Sequence, residues 1–466
     1  MRLLIFLSVI FLITESNAQN SLVSYGGSRY GAGSCLFRDY QCMGVNPANL
    51  GIFTGEQVQV NMSFFDGNGL FFSDALPKTQ IVQSLLGGHS LSTEEKLSVA
   101  QQFLESGNTF SAELDPFNIS VQFPKLGGFG FSWRERMTGG AKLSHPLADI
   151  FFNGLNSDYI DTIVYDVVGQ AIGIVSDTIN PLDLFNGSSF QYNWLREFNL
   201  SFGRKILGSE KGLALYAGGS VKFLQSNGIS DIAFDADTIS GFAAFSKIFN
   251  IDYANFTNPD IDLKGDLSPV GRGVGYDFGV TLSLSDKLLG AISITDIGKV
   301  KYAGNIVSIN GAIEDSLLQF IGLDAADIFT DLKNVFNADG LLSYLPAQEK
   351  TVNLPTQLHI GGAWRATSRL DLAFDVMQPF NKVPGSSQKT IYSALANVAF
   401  SKVVKVSGGF TGGGIANFDV PLGIAFSFVP DQIWQISIGT GDIVSIVTQD
   451  KPTISLNVSL FRLHYE

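Results

Sequence analysis

Residues 271–285 read GRGVGYDFGVTLSLS, and their two parities differ in kind. Val274, Tyr276, Phe278, Val280, Leu282 and Leu284 follow Arg272 on one parity; Gly271, Gly273, Gly275, Asp277, Gly279, Thr281, Ser283 and Ser285 fill the other. A strand turns successive side chains to opposite faces, so this stretch has one apolar face and one small, polar face. The pattern returns at 117–123 (FNISVQF), 370–376 (LDLAFDV), 422–428 (LGIAFSF), 434–439 (WQISIG) and 454–460 (ISLNVSL). A chain that repeats it this often must build a large sheet.

A soluble sandwich also alternates, but its outer face is dressed with Lys, Glu and Arg. Here the polar parity is mostly Gly, Ser, Asn and Ala, and the apolar parity is rich in Phe. Only 16% of the chain is charged, it holds 50 Gly and 38 Phe, and mean hydropathy is +0.20. Past the N-terminus no run of 18 apolar residues occurs, so no helix is expected to cross a bilayer. An apolar face without such a helix points to an all-β transmembrane antiparallel barrel.

The N-terminus fits that setting. Arg2, an apolar core over Leu3–Ile13 and small residues ending at Ala18 predict a signal peptide at 1–18. No Cys follows the expected cleavage point, so a lipoprotein is not indicated.

The spacing predicts 14 strands, near 57–65, 116–123, 127–134, 194–203, 212–224, 271–285, 287–298, 354–364, 367–378, 389–400, 402–411, 419–428, 431–440 and 453–464. Their connections alternate between short (124–126, 204–211, 286, 365–366, 401, 429–430) and long (66–115, 135–193, 225–270, 299–353). Outer-membrane barrels place tight turns on the periplasmic side and long loops outside, which puts both termini in the periplasm. Helices are expected within the long loops at 90–105, where Ser92 and Glu95 form a capping box, and at 314–336.

Ahead of the first strand, Gly44, Asn46, Pro47, Ala48 and Leu50 form an Asn-Pro-Ala turn within an N-terminal segment. With the strand count, this resembles the FadL-like family of long-chain fatty-acid and hydrocarbon transporters. It also resembles the PorV-type barrels associated with type IX secretion. The block 271–302 is similar to a Bacteroidota branch of these barrels, through Gly273, Gly275, Asp277, Gly279, Asp296 and Gly298. The resemblance implies a plug or hatch at 19–55 that enters the lumen, a barrel over 56–466, and an outer-membrane location among lipid. It implies one of two roles. The first is a passive channel for hydrophobic or amphiphilic small molecules. The alternative is a non-transporting barrel that docks secretion, gliding or surface-assembly proteins through its loops.

Other candidates are weaker. Cys35 and Cys42 would lie in an oxidising compartment at a spacing that could close a small disulfide loop. Two thiols without a nearby His do not make a zinc site. Of His89, His145, His359 and His464, only His359 lies beside many serines on a small-residue strand face, and no nucleophile motif accompanies it. No catalytic, metal or cofactor site is therefore expected. Asn61, Asn118, Asn199 and Asn457 head Asn-x-Ser/Thr triplets, but each falls at an alternating polar position of a strand. The acidic stretches 231–238 and 258–266 read as solvated loops without EF-hand spacing. A net charge of −13 argues against nucleic acid as a partner.

Overall fold

The computed structural model describes residues 33–53, 57–73, 107–165, 171–175, 185–209, 212–235, 238–247, 268–312, 342–344, 348–387, 389–414, 417–428, 434–448 and 454–465. The expected signal peptide, the expected helices at 90–105 and 314–336, His89 and the acidic stretch 258–266 lie outside the described residues.

Fourteen antiparallel strands close into a barrel. They are β1 (Gln59–Ser73), β2 (Asn108–Phe123), β3 (Gly127–Lys142), β4 (Ser189–Gly208), β5 (Ala214–Asp235), β6 (Gly271–Ser283) and β7 (Leu288–Ala303), then β8 (Gln357–Thr367), β9 (Leu370–Pro379), β10 (Ile391–Ala399), β11 (Val404–Gly413), β12 (Leu422–Phe428), β13 (Trp434–Thr440) and β14 (Ile454–Tyr465). Each pairs with the next, and β1 pairs with β14 from Val60↔Tyr465 to Phe71↔Ile454. Closure leaves no sheet edge around the wall, which is what a strand protein needs in an apolar medium.

The alternation sets the two surfaces. On β6, Val274, Tyr276, Phe278 and Val280 are exposed on the outer face, while Asp277, Gly279, Thr281 and Ser283 are buried inside. Phe129, Leu200, Phe223, Ile292, Ile360, Phe374, Tyr392, Phe410, Ile438 and Leu456 carry the exposed apolar belt round the barrel. Aromatic rings gather towards the short-turn end: Phe129 packs on Phe123 and Phe202, and Trp434 lies between Phe428 and Phe461. On the outer face of β3 the belt ends at Glu135, which accepts from the indole N–H of Trp194 at 2.8 Å and contacts Arg196. Aromatic girdles of this kind sit where an apolar slab meets water.

The wall is uneven in height. β4 and β5 run for 20 and 22 residues, whereas β12 and β13 have 7 each. A tilted strand crosses a bilayer in about 9–11 residues, so β4 and β5 continue well past the belt. Thr238–Phe245 and Ile306–Ala312 extend this tall side by pairing onward from β5. Leu195, Leu224, Ile229, Phe242, Val300, Tyr302 and Ile306 form its apolar core. The stretch 231–235, expected as acidic loop, is therefore strand. Beyond the belt neither face is uniformly apolar, so the two-residue signal fades although the pairing continues.

Between β3 and β4 lie α1 (His145–Asn153), capped by Ser144 Oγ accepting from Leu147 N, and a hairpin of Ile160–Tyr165 with Ala171–Val175. Neither was expected from the sequence. Asp149 of α1 is buried and accepts from Asn153 Nδ2 at 2.6 Å and from Ser157, which binds the loop to its own helix.

Candidate functional site in the barrel lumen

Residues 33–53 lie inside the barrel and pair with no strand among the described residues. Their fold is local. Asn46 is extended (φ −152°, ψ 93°), and its Oδ1 accepts from Ala48 N at 3.2 Å. That caps a short 3-10 turn, Pro47–Gly51, with Pro at the first position, where its missing N–H costs nothing. Gly44 takes φ +79°, a conformation that strains other residues.

Side chains then fix the segment to the wall. Asn46 Nδ2 donates to Ser34 O and to Thr281 Oγ1, both at 2.8 Å, and Thr281 Oγ1 donates to Asn49 Oδ1 at 2.6 Å. Ser293 Oγ donates to Val45 O, and Gln122 Nε2 donates to Leu50 O at 2.9 Å. Wall glycines make room for it. A Cβ on Gly279 would stand 2.0 Å from Asn46 Oδ1, and one on Gly128 2.3 Å from Leu50 O; Gly203 and Gly218 face Pro47 in the same way. These contacts lie on β2 to β7, whereas at the start of the segment Ser34 N donates to Asp375 Oδ2 of β9 at 2.8 Å. Pro47, Ala48, Asn49 and Leu50 are buried, and Ala48 packs with Ile52, Ala214 and Tyr216.

The other predicted motif lies on the same side. Gly273 and Gly298 of β6 and β7 approach backbone: a Cβ would meet Lys299 O at 2.3 Å and Val274 O at 2.2 Å. Gly275 faces the Leu354 side chain. Asp296 sits at a register shift between Ile294 and Ile297 with φ +56°.

Asp277 and Asp296 belong to a buried ionic cluster. Lys222 Nζ lies 2.6 Å from Asp296 Oδ1 and 2.9 Å from Asp277 Oδ1. Arg136 Nη1 is 3.2 Å from both Glu197 Oε2 and Asp296 Oδ2. Arg134 Nε is 2.8 Å from Glu113 and 3.3 Å from Asp115, and Arg134 Nη2 donates to Met43 O at 3.4 Å. Five carboxylates thus surround three cations, with Arg134 tying the group to the seated segment. Removing water from such charges costs several kcal/mol each, recovered only while every partner stays in place. This makes the cluster a rigid brace.

The small-residue face led to the expectation of a lumen with few charges, and the cluster corrects it. The signal was present. Arg134, Arg136, Glu197 and Lys222 fall on the inward parity within strand stretches, whereas Glu113 and Asp115 share the parity of outward Phe117 and Ile119 and turn inward only through the register shift between Leu114 and Phe117. Mid-strand charges on the parity opposite an apolar face are expensive unless they find each other.

The expected Cys35–Cys42 disulfide is also corrected: both are free and buried. Cys35 packs with Ala291, Ala363, Ala373 and Leu395, whereas Cys42 packs with Phe37, Val45 and Leu50 and donates to Asp39 O. They occupy different apolar clusters because a short 3-10 turn, Asp39–Cys42, carries the chain between them. Burial pushes both thiols up, Cys35 to about 12.

His359 faces Asp375, with 3.9 Å between Nδ1 and Oδ1. His464 bonds Asn61, and His145 bonds Tyr159. Asn61, Asn118, Asn199 and Asn457 are all buried in the barrel. Among the described residues no three His, Cys, Asp or Glu side chains gather as metal ligands.

Across the lumen the wall is different. β8 to β14 turn Ala363, Ala373, Ser393, Ser407, Ala425 and Ser437 inward. A cavity of about 560 Å³ remains between these strands and residues 36–41.

Among solved structures, the chain is similar to the Ralstonia pickettii toluene transporter TbuX (11% identity, TM-score 0.45, 98% of this chain and 100% of that one). It is also similar to a Pseudomonas aeruginosa FadL homologue (10% identity, TM-score 0.38, 97% of each) and to the CymD monoaromatic hydrocarbon channel (12% identity, TM-score 0.43, 95% and 97%). No curated protein matches it. The model of a family of unknown function, DUF5723, matches residues 81–437. That stretch runs from the segment after β1 into β13 and is more than half of the chain, so the protein belongs to the DUF5723 family.

Proposed function

We propose that the protein is an outer-membrane channel for hydrophobic or amphiphilic small molecules. In this reading residues 1–18 are a signal peptide, 19–55 form a plug, and 56–466 form the barrel. The short turns and both termini face the periplasm. The seated turn Gly44, Asn46, Pro47, Ala48 and Leu50 seals one half of the lumen, and the motif Gly273, Gly275, Asp277, Gly279, Asp296 and Gly298 builds the wall that holds it.

The observation that carries this reading is the division of the lumen. The segment 33–53 fills one side without joining the sheet, while a cavity stays open beside it. The apolar belt supports the membrane setting. Paired charges and small side chains suit passage of a solute better than bond-making chemistry. No described feature favours docking to secretion or gliding proteins.

The test is uptake by a bacterial host whose lipopolysaccharide leaflet resists apolar solutes. Cells expressing the barrel should take up labelled 1-dodecanol faster than cells with an empty vector. Equal rates, with the barrel shown folded in the outer membrane, would overturn the reading.

A further inference from the structure

Residues 380–387 link β9 to β10 at the long-loop end, but they do not turn straight back. Pro384, Gly385, Ser386 and Ser387 are buried, the last two at 1% and 0% exposure. Asn193 Nδ2 of β4 donates to Pro384 O at 3.5 Å. A Cβ on Gly385 would stand 3.2 Å from Thr138 Oγ1 of β3 and 3.4 Å from Asn193 Nδ2. Thr138 and Asn193 share the inward parity of Arg134 and Glu197. In a ring of fourteen strands β10 stands seven places from β3, directly across the lumen. To meet inward side chains on that wall, the link must cross the mouth of the barrel.

The crossing holds its own shape. Ser386 N donates to Val383 O at 2.9 Å and Val383 N to Ser386 Oγ at 3.0 Å, with Gly385 at φ +90° inside the turn. Its root is tied firmly: Phe380 N donates to Thr356 O at 2.9 Å and Asn381 Nδ2 to Leu354 O at 2.7 Å. Its tip is tied weakly. Among the described residues, the one hydrogen bond to the far wall is that from Asn193, longer than the usual range. No residue of 380–387 joins the sheet. The segment 33–53, by contrast, is bonded to the wall through Asn46, Asn49, Val45 and Leu50. A turn satisfied within itself, fixed at the root and loosely held at the tip, can lift with few bonds lost.

We infer that residues 380–387 are a strap that closes the long-loop mouth of the lumen and lifts from Thr138 and Asn193 to admit a solute. What is admitted rests on the channel reading. The closure itself does not, so the two can fail separately.

The test pins the tip. Thr138→Cys with Gly385→Cys, in a Cys35→Ala, Cys42→Ala background, places two thiols within bonding reach, and intact mass confirms the bond. Cells expressing the oxidised pair should take up labelled 1-dodecanol at the empty-vector rate, and a reductant should restore the wild-type rate. Equal uptake by pinned and wild-type barrels overturns the strap and leaves the channel standing.

Labelling of Ser393→Cys in the same background tests the closure without transport. Ser393 is buried on the inward face of β10, two residues from its long-loop end. A charged thiol reagent acting on the folded barrel in detergent should label it about tenfold more slowly when the tip is pinned. Asn193→Ala should speed the labelling about fivefold, the worth of one hydrogen bond. An unchanged rate in the pinned barrel overturns the strap, even if no form of the barrel carries dodecanol. Should the pinned pair not fold, because Gly385 has φ +90°, Asn193→Ala decides, and an unchanged rate there overturns the strap. Heat-modifiable mobility on gels reports the folded barrel.

Discussion

The two halves of this barrel solve the problem of a polar lumen in opposite ways. From β1 to β7 the strands are long, charges face inward, and five carboxylates meet three cations. From β8 to β14 the strands are shorter, and a cavity remains, lined by Ser407 and Ala425 together with long polar side chains such as Arg369, Lys405 and Gln435. The seated segment leans on the first half through Asn46, Leu50 and Arg134. The difference teaches that the plug's turn takes its seat from the braced side, while Ser34 and Cys35 hold the start of the segment to the other. A passage needs the other side to stay loosely filled.

The largest expected effect separates the halves directly. Lys222→Met leaves Asp277 without its cation and Asp296 with Arg136 alone, and removing one partner of a buried ion pair costs about 3–5 kcal/mol. Arg369→Gln, at the exposed rim of the second half, should cost less than about 1 kcal/mol. Urea unfolding in detergent, read by tryptophan fluorescence, compares them. Equal midpoints would remove the distinction between brace and rim.

Next comes Gly279→Val. Its side chain would overlap Asn46 Oδ1 and Pro47, so overpacking of about 1–3 kcal/mol is expected, with residues 33–53 more readily cut by protease. Gly408→Ala in the second half meets Leu422 at an ordinary 3.5 Å and should change stability by less than about 0.5 kcal/mol. Limited proteolysis with mass mapping reads both, and an unchanged digestion of the Gly279 variant would count against a tightly seated segment.

Asn46→Ala removes a cap and the bonds to Ser34 and Thr281, which predicts about 1–2 kcal/mol of destabilisation. The same urea titration measures it, and a midpoint like wild type would show that the cap is dispensable. The smallest effect concerns the thiols. Cys35 and Cys42, pushed up by burial, should stay unlabelled by maleimide at pH 8 in the folded protein and take up two labels once unfolded. An intact mass two protons lighter than the reduced chain would restore the disulfide.

Much of the wall was legible in the sequence because period two is strongest where one face meets an apolar medium. The repeat at 271–285 and the short turn after it map onto β6 and β7. What lay above the belt was hidden. The ends of β4 and β5 carry no clean alternation, since water or protein covers both of their faces. The Asn46-Pro47 turn stood out through its residue types, but its partners Thr281 and Gly279 are more than 200 positions away. Lys222 was visible singly as an inward-parity charge, whereas Asp296 shares the parity of outward Ile292 and turns inward only at the register shift between Ile294 and Ile297. Only closure of the barrel brings them to 2.6 Å.

The most direct measurement of the divided lumen is paired cysteine accessibility. In a Cys35→Ala, Cys42→Ala background, Ser220→Cys probes the braced half, where Ser220 and Ser201 are buried together, and Ser407→Cys probes the cavity wall. A small, charged thiol reagent supplied to the folded barrel in detergent should label Ser407→Cys quickly and Ser220→Cys slowly or not at all. Equal labelling of the two, or faster labelling at position 220, would contradict a lumen sealed on one side and open on the other.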